Sequence, residues 1–347
     1  MKSEEATEKT AVEKKVEDPA ASTGPMVMPR VMLPPVDLEH GKLALGCWVF
    51  GGTHWAGQNP HDSRAVMEAA LRRGMNHFDT AEAYGDGLSE QLIGDFLRTD
   101  ELRRGHLFLA SKAFLSAPTA ESVRASLDAS LARLGVDSID LFYVHWPLRG
   151  ADLRPVFEEL QKARDSGHIH AIGVSNFSIA DLEAARSVCE IHAHQFCYNL
   201  LWRFAEREMI PYCTQHQIAM LSYSAIAQGI LTGRFSAEPQ FAAGDLRSQT
   251  VLFEREVWPR VYEAVEKMKV VAAQAKRPLV HLAIRWLTRK SELTNVLVGA
   301  RNAVQINELA GAMGGAIADS VVDQLTAISD ELVPAIPDTG NIFRFYP

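Results

Sequence analysis

Four side chains at the ends of three successive β-rich runs could together deliver a proton to an oxygen. Asp79 closes NHFD (76–79) and Tyr84 follows in the next loop; Lys112 closes LFLASK (107–112); His145 closes IDLFYVH (139–145). A phenol, with an ordinary pKa of about 10, stays protonated at neutral pH and can donate. An ammonium beside it favours the phenolate left behind. Asp79 would hold that ammonium charged and in place, and His145 would hydrogen-bond the accepting oxygen and orient it. Carbonyl reduction asks for such a set, because hydride attack makes an alkoxide that needs a proton. General acid catalysis of this kind contributes typically ~10²–10⁴-fold, and the hydride itself belongs to a cofactor. Each residue also has a structural reading: Asp79 as a cap, Lys112 as a snorkelling surface residue, His145 as a buried histidine between Val144 and Trp146, Tyr84 as a loop anchor. Their joint placement is what favours the chemistry.

The elements that would position them alternate regularly. Strand candidates are 43–48, 76–79, 107–112, 139–145, 169–175, 193–197, 219–224 and 295–300. Helix-period segments lie between them. Residues 62–73 open at Asp62 and stop at Gly74; 119–134 open at Thr119 and stop at Gly135; 153–165 precede Gly167; 178–187 open at Ser178. Eight strands each followed by a helix read as an α/β fold of the (β/α)8 TIM-barrel type, with a doubly wound open sheet as the alternative. In a barrel the functional residues sit at the C-terminal ends of the strands, where all four side chains fall. Three segments lie outside the eightfold count: a hairpin over 30–42 that could close the bottom, a weakly patterned stretch over 233–257, and an extra helix over 277–290 with Pro278 suited to its first turn.

The chain has 347 residues, 47% hydrophobic and 22% charged, with a net charge of −8. That is enough for one large domain, taken as residues 29–347, and it argues against nucleic acid or an anionic membrane as the main partner. Residues 1–28 are acid- and lysine-rich with no apolar centre and are expected to form a disordered tail. Cys47, Cys189, Cys197 and Cys213 form no CxxC pair, which fits reduced thiols and a cytoplasmic location. No apolar run reaches the ~20 residues a bilayer needs. His192 and His194 flank a strand start without a third ligand, so they are expected at the surface and no metal is expected. The expected partner is a small carbonyl or alcohol, bound by a monomer or homo-oligomer.

The strings FDTAEAYGDGLSE (78–90), SK (111–112), VHWP (144–147), GVSNFS (173–178) and SYSAIAQGILTGR (222–234) resemble the aldo-keto reductases, in the bacterial-type branch that also resembles potassium-channel β-subunits. The resemblance covers about residues 40–312. It implies Tyr84 as the acid, with Asp79, Lys112 and His145 completing a catalytic tetrad, and NADP(H) as cofactor. Ser175, Asn176 and Gln195 match the residues that hydrogen-bond the nicotinamide carboxamide, and Tyr223 the aromatic that stacks on its ring. Gly46, Cys47 and Trp48, with Asp79, match residues near the reactive ring. Ser224, Ile226, Gln228 and Gly229 match the pyrophosphate loop. Gly299, Arg301, Gln305 and Glu308 match the adenosine end, where a helix start offers free N–H groups. Arg301 and Arg234 could fork onto a 2′-phosphate, which favours NADPH over NADH. Leu309, Cys47 and Ala225 depart from the residues the family usually carries there. Trp48, Trp55, Trp146 and Trp202 could line the substrate pocket or pack in the core.

The resemblance implies an NADPH-dependent oxidoreductase that reduces aldehydes or ketones. The channel-subunit likeness leaves open a cofactor-binding, redox-sensing subunit with little turnover. A barrel aldolase using Lys112 as a Schiff base is a third possibility.

Overall fold

The computed structural model describes residues 26–52, 58–99, 102–242 and 244–345. Eight parallel strands close into a barrel. They are β3 (Leu43–Gly46), β4 (His77–Asp79), β5 (Phe108–Ala113), β6 (Ile139–Val144), β7 (Ile169–Ser175), β8 (Ala193–Cys197), β9 (Ala219–Tyr223) and β10 (Leu293–Val298), with β10 pairing back onto β3. All eight expected strands are present. Because helices cover the outside, both faces of each strand are buried, and the strands read as continuous apolar runs.

The barrel interior is filled by inward-facing residues of β3 and of β5 to β9, among them Ala44, Phe108, Ala110, Leu141, Tyr143, Ala171, Ala193 and Leu221. The hairpin β1 (Arg30–Leu33) and β2 (Val36–Gly41) inserts Leu33 and Val36 into that same cluster, so it plugs one end. The chain is packed before the expected boundary at 29: Met26 bridges to Gly314 and Met28 is buried. Residues 1–25 of the expected tail, and Trp55, lie outside the described residues.

Helices return the chain from strand to strand: α1 (Pro60–Arg72), α2 (Leu88–Arg98), α3 (Leu102–His106), α4 (Ala120–Leu134), α5 (Arg154–Asp165), α6 (Ile179–Arg186), α7 (Met209–Gln215) and α8 (Trp258–Gln274). Then come α9 (Leu279–Thr288), which is the extra helix before β10, α10 (Ala303–Gly311) and α11 (Asp319–Leu332). Local signals set their ends. Thr119 caps α4 by accepting from Ser122 N at 3.2 Å, and Gly135 ends it at φ 66°. Ser178 and Asp181 form a reciprocal capping box on α6. On α1 the cap is Asn59 rather than Asp62, with Pro60 in the first turn; Asp62 N is its hydrogen-bond donor. The 233–257 stretch forms short 3-10 turns at Leu246–Gln249 and Val251–Phe253.

Candidate active site

The strand register staggers the tops of β4 and β5: Gly46 lies opposite Asp79, Asp79 opposite Ala110, and Lys112, two residues further along the same face of β5, opposite Tyr143. Asp79 and Lys112 therefore point into the upper barrel, and the Lys112 side chain is fully buried. Its ammonium donates to Asp79 Oδ1 at 2.5 Å, to the Thr80 carbonyl at 2.8 Å and, more distantly, to the Tyr84 hydroxyl at 3.4 Å. The other oxygen of Asp79 accepts from Gln195 Nε2 at 2.7 Å. Burial disfavours the Lys112 ammonium, but Asp79 and Tyr84 together outweigh it and hold the group above its ordinary range. Burial raises the Tyr84 hydroxyl, and nearby Lys112 partly offsets that rise. The phenol is thus a protonated donor at neutral pH. The His145 ring meets the Tyr84 ring edge-on at 5.6 Å. Burial, reinforced by Lys112, pushes its imidazole well below 6.5, so it is neutral. The four side chains converge at one mouth of the barrel.

Tyr84, Asp79 and His145 open onto a cavity of about 650 Å³, within the range of small-molecule sites. It extends along the tops of β7 to β10. Of the residues matched to a cofactor, Gly46, Trp48, Ser175, Asn176, Gln195, Tyr223, Ser224, Ile226, Gln228, Gly229, Arg234, Gly299, Arg301, Gln305 and Glu308 all line it. At its centre the polar groups form a chain. Tyr223 donates to Asn176 Oδ1 at 2.7 Å, and Asn176 Nδ2 donates to the His145 carbonyl at 3.2 Å and to Ser175 Oγ at 3.0 Å. Asn176 takes φ 62°, a left-handed conformation uncommon outside glycine.

Further along, Ser224, Ala227 and Gln228 have φ of 56°, 48° and 51°, and Gly229 follows at 95°. Three non-glycine residues so placed store strain that proteins retain mainly at functional sites. Gln228 Nε2 donates to Ser224 Oγ at 2.6 Å, while Gln228 Oε1 is buried with no hydrogen-bond partner among the described residues. At the far end Asn302 caps α10, Gln305 Oε1 accepts from Arg301 N at 2.8 Å, and Arg234 lies 3.9 Å from Glu308. An elongated trough that runs from the Tyr84 hydroxyl past amides and a strained loop to Arg301 at the start of α10, with Arg234 near Glu308, suits a dinucleotide.

Some expectations need correction. The Cys47 side chain is absent from the cavity wall: it is fully buried, its thiol facing the Leu45 carbonyl at 3.5 Å, and burial pushes its pKa well up. His192 and His194 are not surface residues; both are buried. His194 points outward from β8 against α7, where Nδ1 lies 3.1 Å from Met209 Sδ, and burial lowers its pKa to about 3. Trp202 packs in the core, whereas Trp48 and Trp146 line the cavity. Among the described residues no group of three or more His, Cys, Asp or Glu is placed to hold a metal, and no helix is long and apolar enough to cross a membrane.

The structure also adds residues that the sequence did not single out. Arg247, whose Nε donates to Asp245 Oδ1 at 2.9 Å and whose Nη2 donates to Oδ2 at 2.5 Å, lines the cavity with Leu246 and Gln249. Phe114, Phe343 and Phe345 complete its aromatic wall. Phe345 lies 5.1 Å from Trp146, and Phe343 lies 6.0 Å from Trp48. The only sequence signal for these last two is the aromatic-rich terminus NIFRFYP.

With that geometry established, comparison with known proteins gives consistent matches. The model of the Aldo/keto reductase family matches residues 42–330. Aldo-keto reductase YhdN of Bacillus subtilis is 33% identical over 286 residues, covering 80% of this chain and 86% of its own. The NADH-specific methylglyoxal reductase of Escherichia coli is 27% identical over 328 residues, covering 88% and 99%. Among solved structures, the glycerol dehydrogenase AKR11B4 of Gluconobacter oxydans superposes with a TM-score of 0.80 at 28% identity, covering 89% of this chain and 97% of that one.

Proposed function

The chain belongs to the aldo/keto reductase family of oxidoreductases, and from that premise we propose that it reduces aldehydes or ketones to alcohols with NADPH, Tyr84 acting as the acid. The observation that carries this reading is the Tyr84 hydroxyl within 3.4 Å of a buried Lys112 ammonium that is itself paired with Asp79 at 2.5 Å.

A reduced nicotinamide bound in the trough would supply the hydride. The protein does the rest. Tyr223 and Trp48 offer aromatic faces, and Ser175, Asn176 and Gln195 offer amide and hydroxyl groups suited to a carboxamide with one acceptor and two donors. Neutral His145 offers one N–H to the carbonyl oxygen of the substrate. As charge builds on that oxygen, Tyr84 gives up its proton, and Lys112 stabilises the phenolate that remains. Asp79 keeps Lys112 charged throughout. The aromatic wall keeps water from the reacting carbon, which strengthens each of these electrostatic contacts.

Arg234 and Arg301 at the adenosine end support NADPH over NADH, since guanidinium forks suit a phosphate dianion. The Escherichia coli relative is NADH-specific by name, so the preference must be measured on this chain. Titration of protein fluorescence should give tighter binding of NADPH than of NADH, and the protein should oxidise NADPH with reactive aldehydes. Equal affinity for the two cofactors would remove the arginine argument. No NADPH oxidation across a panel of aldehydes and ketones would remove the reductase reading.

A further inference from the structure

Tyr84 stands in a loop that has little regular structure of its own. Gly85, Asp86 and Gly87 all take left-handed φ, at 66°, 52° and 89°. It packs against Gly51 on one side and against Arg133 of α4 on the other. Glu90, in the first turn of α2, is fully buried. Its Oε1 accepts from Ser111 Oγ at 2.5 Å, next door to Lys112, and its Oε2 accepts from Arg133 Nε at 2.6 Å. Glu82, on the other side of Tyr84, accepts from the Phe114 backbone N–H and from Ser126 Oγ, the latter at 3.0 Å, and lies 3.9 Å from Arg133 Nη2. The Arg133 stem also lies directly under the loop: a Cβ added at Gly87 would sit 2.5 Å from Arg133 Cδ.

One guanidinium on α4 thus pairs with Glu90 and lies near Glu82, the two carboxylates that bracket Tyr84, while Glu90 also grips the residue before Lys112. Resting on the reading of Tyr84 as the acid, we propose that Arg133 is a positioning residue: through Glu82 and Glu90 it sets the Tyr84 hydroxyl against the Lys112 ammonium. Without it, buried Glu90 loses its counter-charge with partly buried Glu82 close by beneath the loop. The loop then relaxes, and the acid loses its register with the substrate oxygen. A misplacement of about 1 Å is enough to cost on the order of 10²-fold in rate.

The test compares wild type, Arg133→Met, Arg133→Lys, Tyr84→Phe and the double variant Arg133→Met/Tyr84→Phe, with rates expressed per NADPH-binding site so that folded molecules alone are counted. Arg133→Met should lower kcat roughly ten- to a hundredfold with KM and the NADPH Kd nearly unchanged, and Arg133→Lys should recover part of the loss. In the Tyr84→Phe background Arg133→Met should cost nothing more, because the residue through which it acts is already gone. A multiplicative loss in the double variant, or wild-type kcat in Arg133→Met, would overturn the proposal. If Arg133→Met does not fold, Ser126→Ala, which deletes one Glu82 hydrogen bond, takes its place with the same signature at smaller amplitude. Full turnover by Tyr84→Phe would instead defeat the acid assignment itself. A crystal structure of Arg133→Met decides the positioning claim in that event: Tyr84 displaced from Lys112 supports it, and an unmoved Tyr84 overturns it.

Discussion

Lys112 is a full positive charge inside a barrel, and it survives there because each of its contacts is matched. Asp79 supplies the counter-charge, Gln195 satisfies the second carboxylate oxygen, and the Thr80 carbonyl takes another ammonium proton. Truncating one member of such a pair leaves the other charged and alone, which typically costs about 3–5 kcal/mol. Lys112→Met should therefore lose stability on that scale as well as activity, as chemical denaturation will show; an unchanged midpoint would mean that Asp79 is readily neutralised or hydrated. His145 gives a second residue-scale expectation. Its pKa lies well below 6.5 because it is buried beside Lys112. It therefore stays neutral as pH falls from 8 to 6, and the pH profile of kcat/KM for reduction should show no inflection near 6.5. An inflection there that disappears in His145→Gln would show that the imidazole titrates normally.

At the scale of elements, the caps that begin helices also fix the loops that carry function. Ser178 starts α6 three residues after Ser175, and its hydroxyl and the Asp181 carboxylate satisfy each other's backbone N–H groups. Ser178→Ala should cost about 1 kcal/mol of stability, measured by urea denaturation, and loosen the Ser175–Asn176 end of the cofactor trough enough to weaken NADPH binding. A loss of stability with unchanged cofactor affinity would show that β7 alone positions those residues. What could be read in advance at this scale follows the same physics. The eight strands were legible because strands buried on both faces must be short apolar runs. The helices 119–134 and 178–187 were legible because Thr119 and Ser178 cap where the apolar period begins. Asp62 was misjudged as a cap because Asn59 competes three residues earlier and has Pro60 behind it. The cluster of Asp79, Tyr84, Lys112 and His145 was legible because its members end or directly follow consecutive strands. Arg247, Phe343 and Phe345 were not, since they arrive from an irregular segment and from the terminus, and nothing periodic in the chain ties them to the barrel mouth. Likewise the burial of His194 depends on α7 packing over β8, a tertiary fact without a local signature.

Six histidines among the described residues carry buried imidazoles whose protonation burial disfavours. His40, His77, His145, His192, His194 and His281 all have pKa values lowered by burial. The sign follows from linkage. Their folded values lie below the unfolded value of about 6.5, so below that pH the unfolded chain binds more protons and stability falls as pH falls. Each histidine contributes up to about 1.4 kcal/mol per pH unit in the window between its two values. Thermal unfolding should therefore show a steep decline below pH 6.5, well before most carboxylates titrate; a Tm flat between pH 7 and 5 would mean that these rings find partners when charged. His77 is the most exposed to this test. It lies on β4 two residues before Asp79, in the barrel interior, with both ring nitrogens buried. Acid that protonates it would strain the same strand that carries the Lys112 counter-ion.

That strand and its loop bear the central claim, which is best tested by single-turnover oxidation of bound NADPH in wild type and Tyr84→Phe, with cofactor affinity measured in parallel. With the phenol as the proton donor, the variant should bind NADPH as tightly as wild type, yet transfer hydride to an aldehyde about 10²–10⁴-fold more slowly. Transfer within a few-fold of the wild-type rate would contradict the assignment.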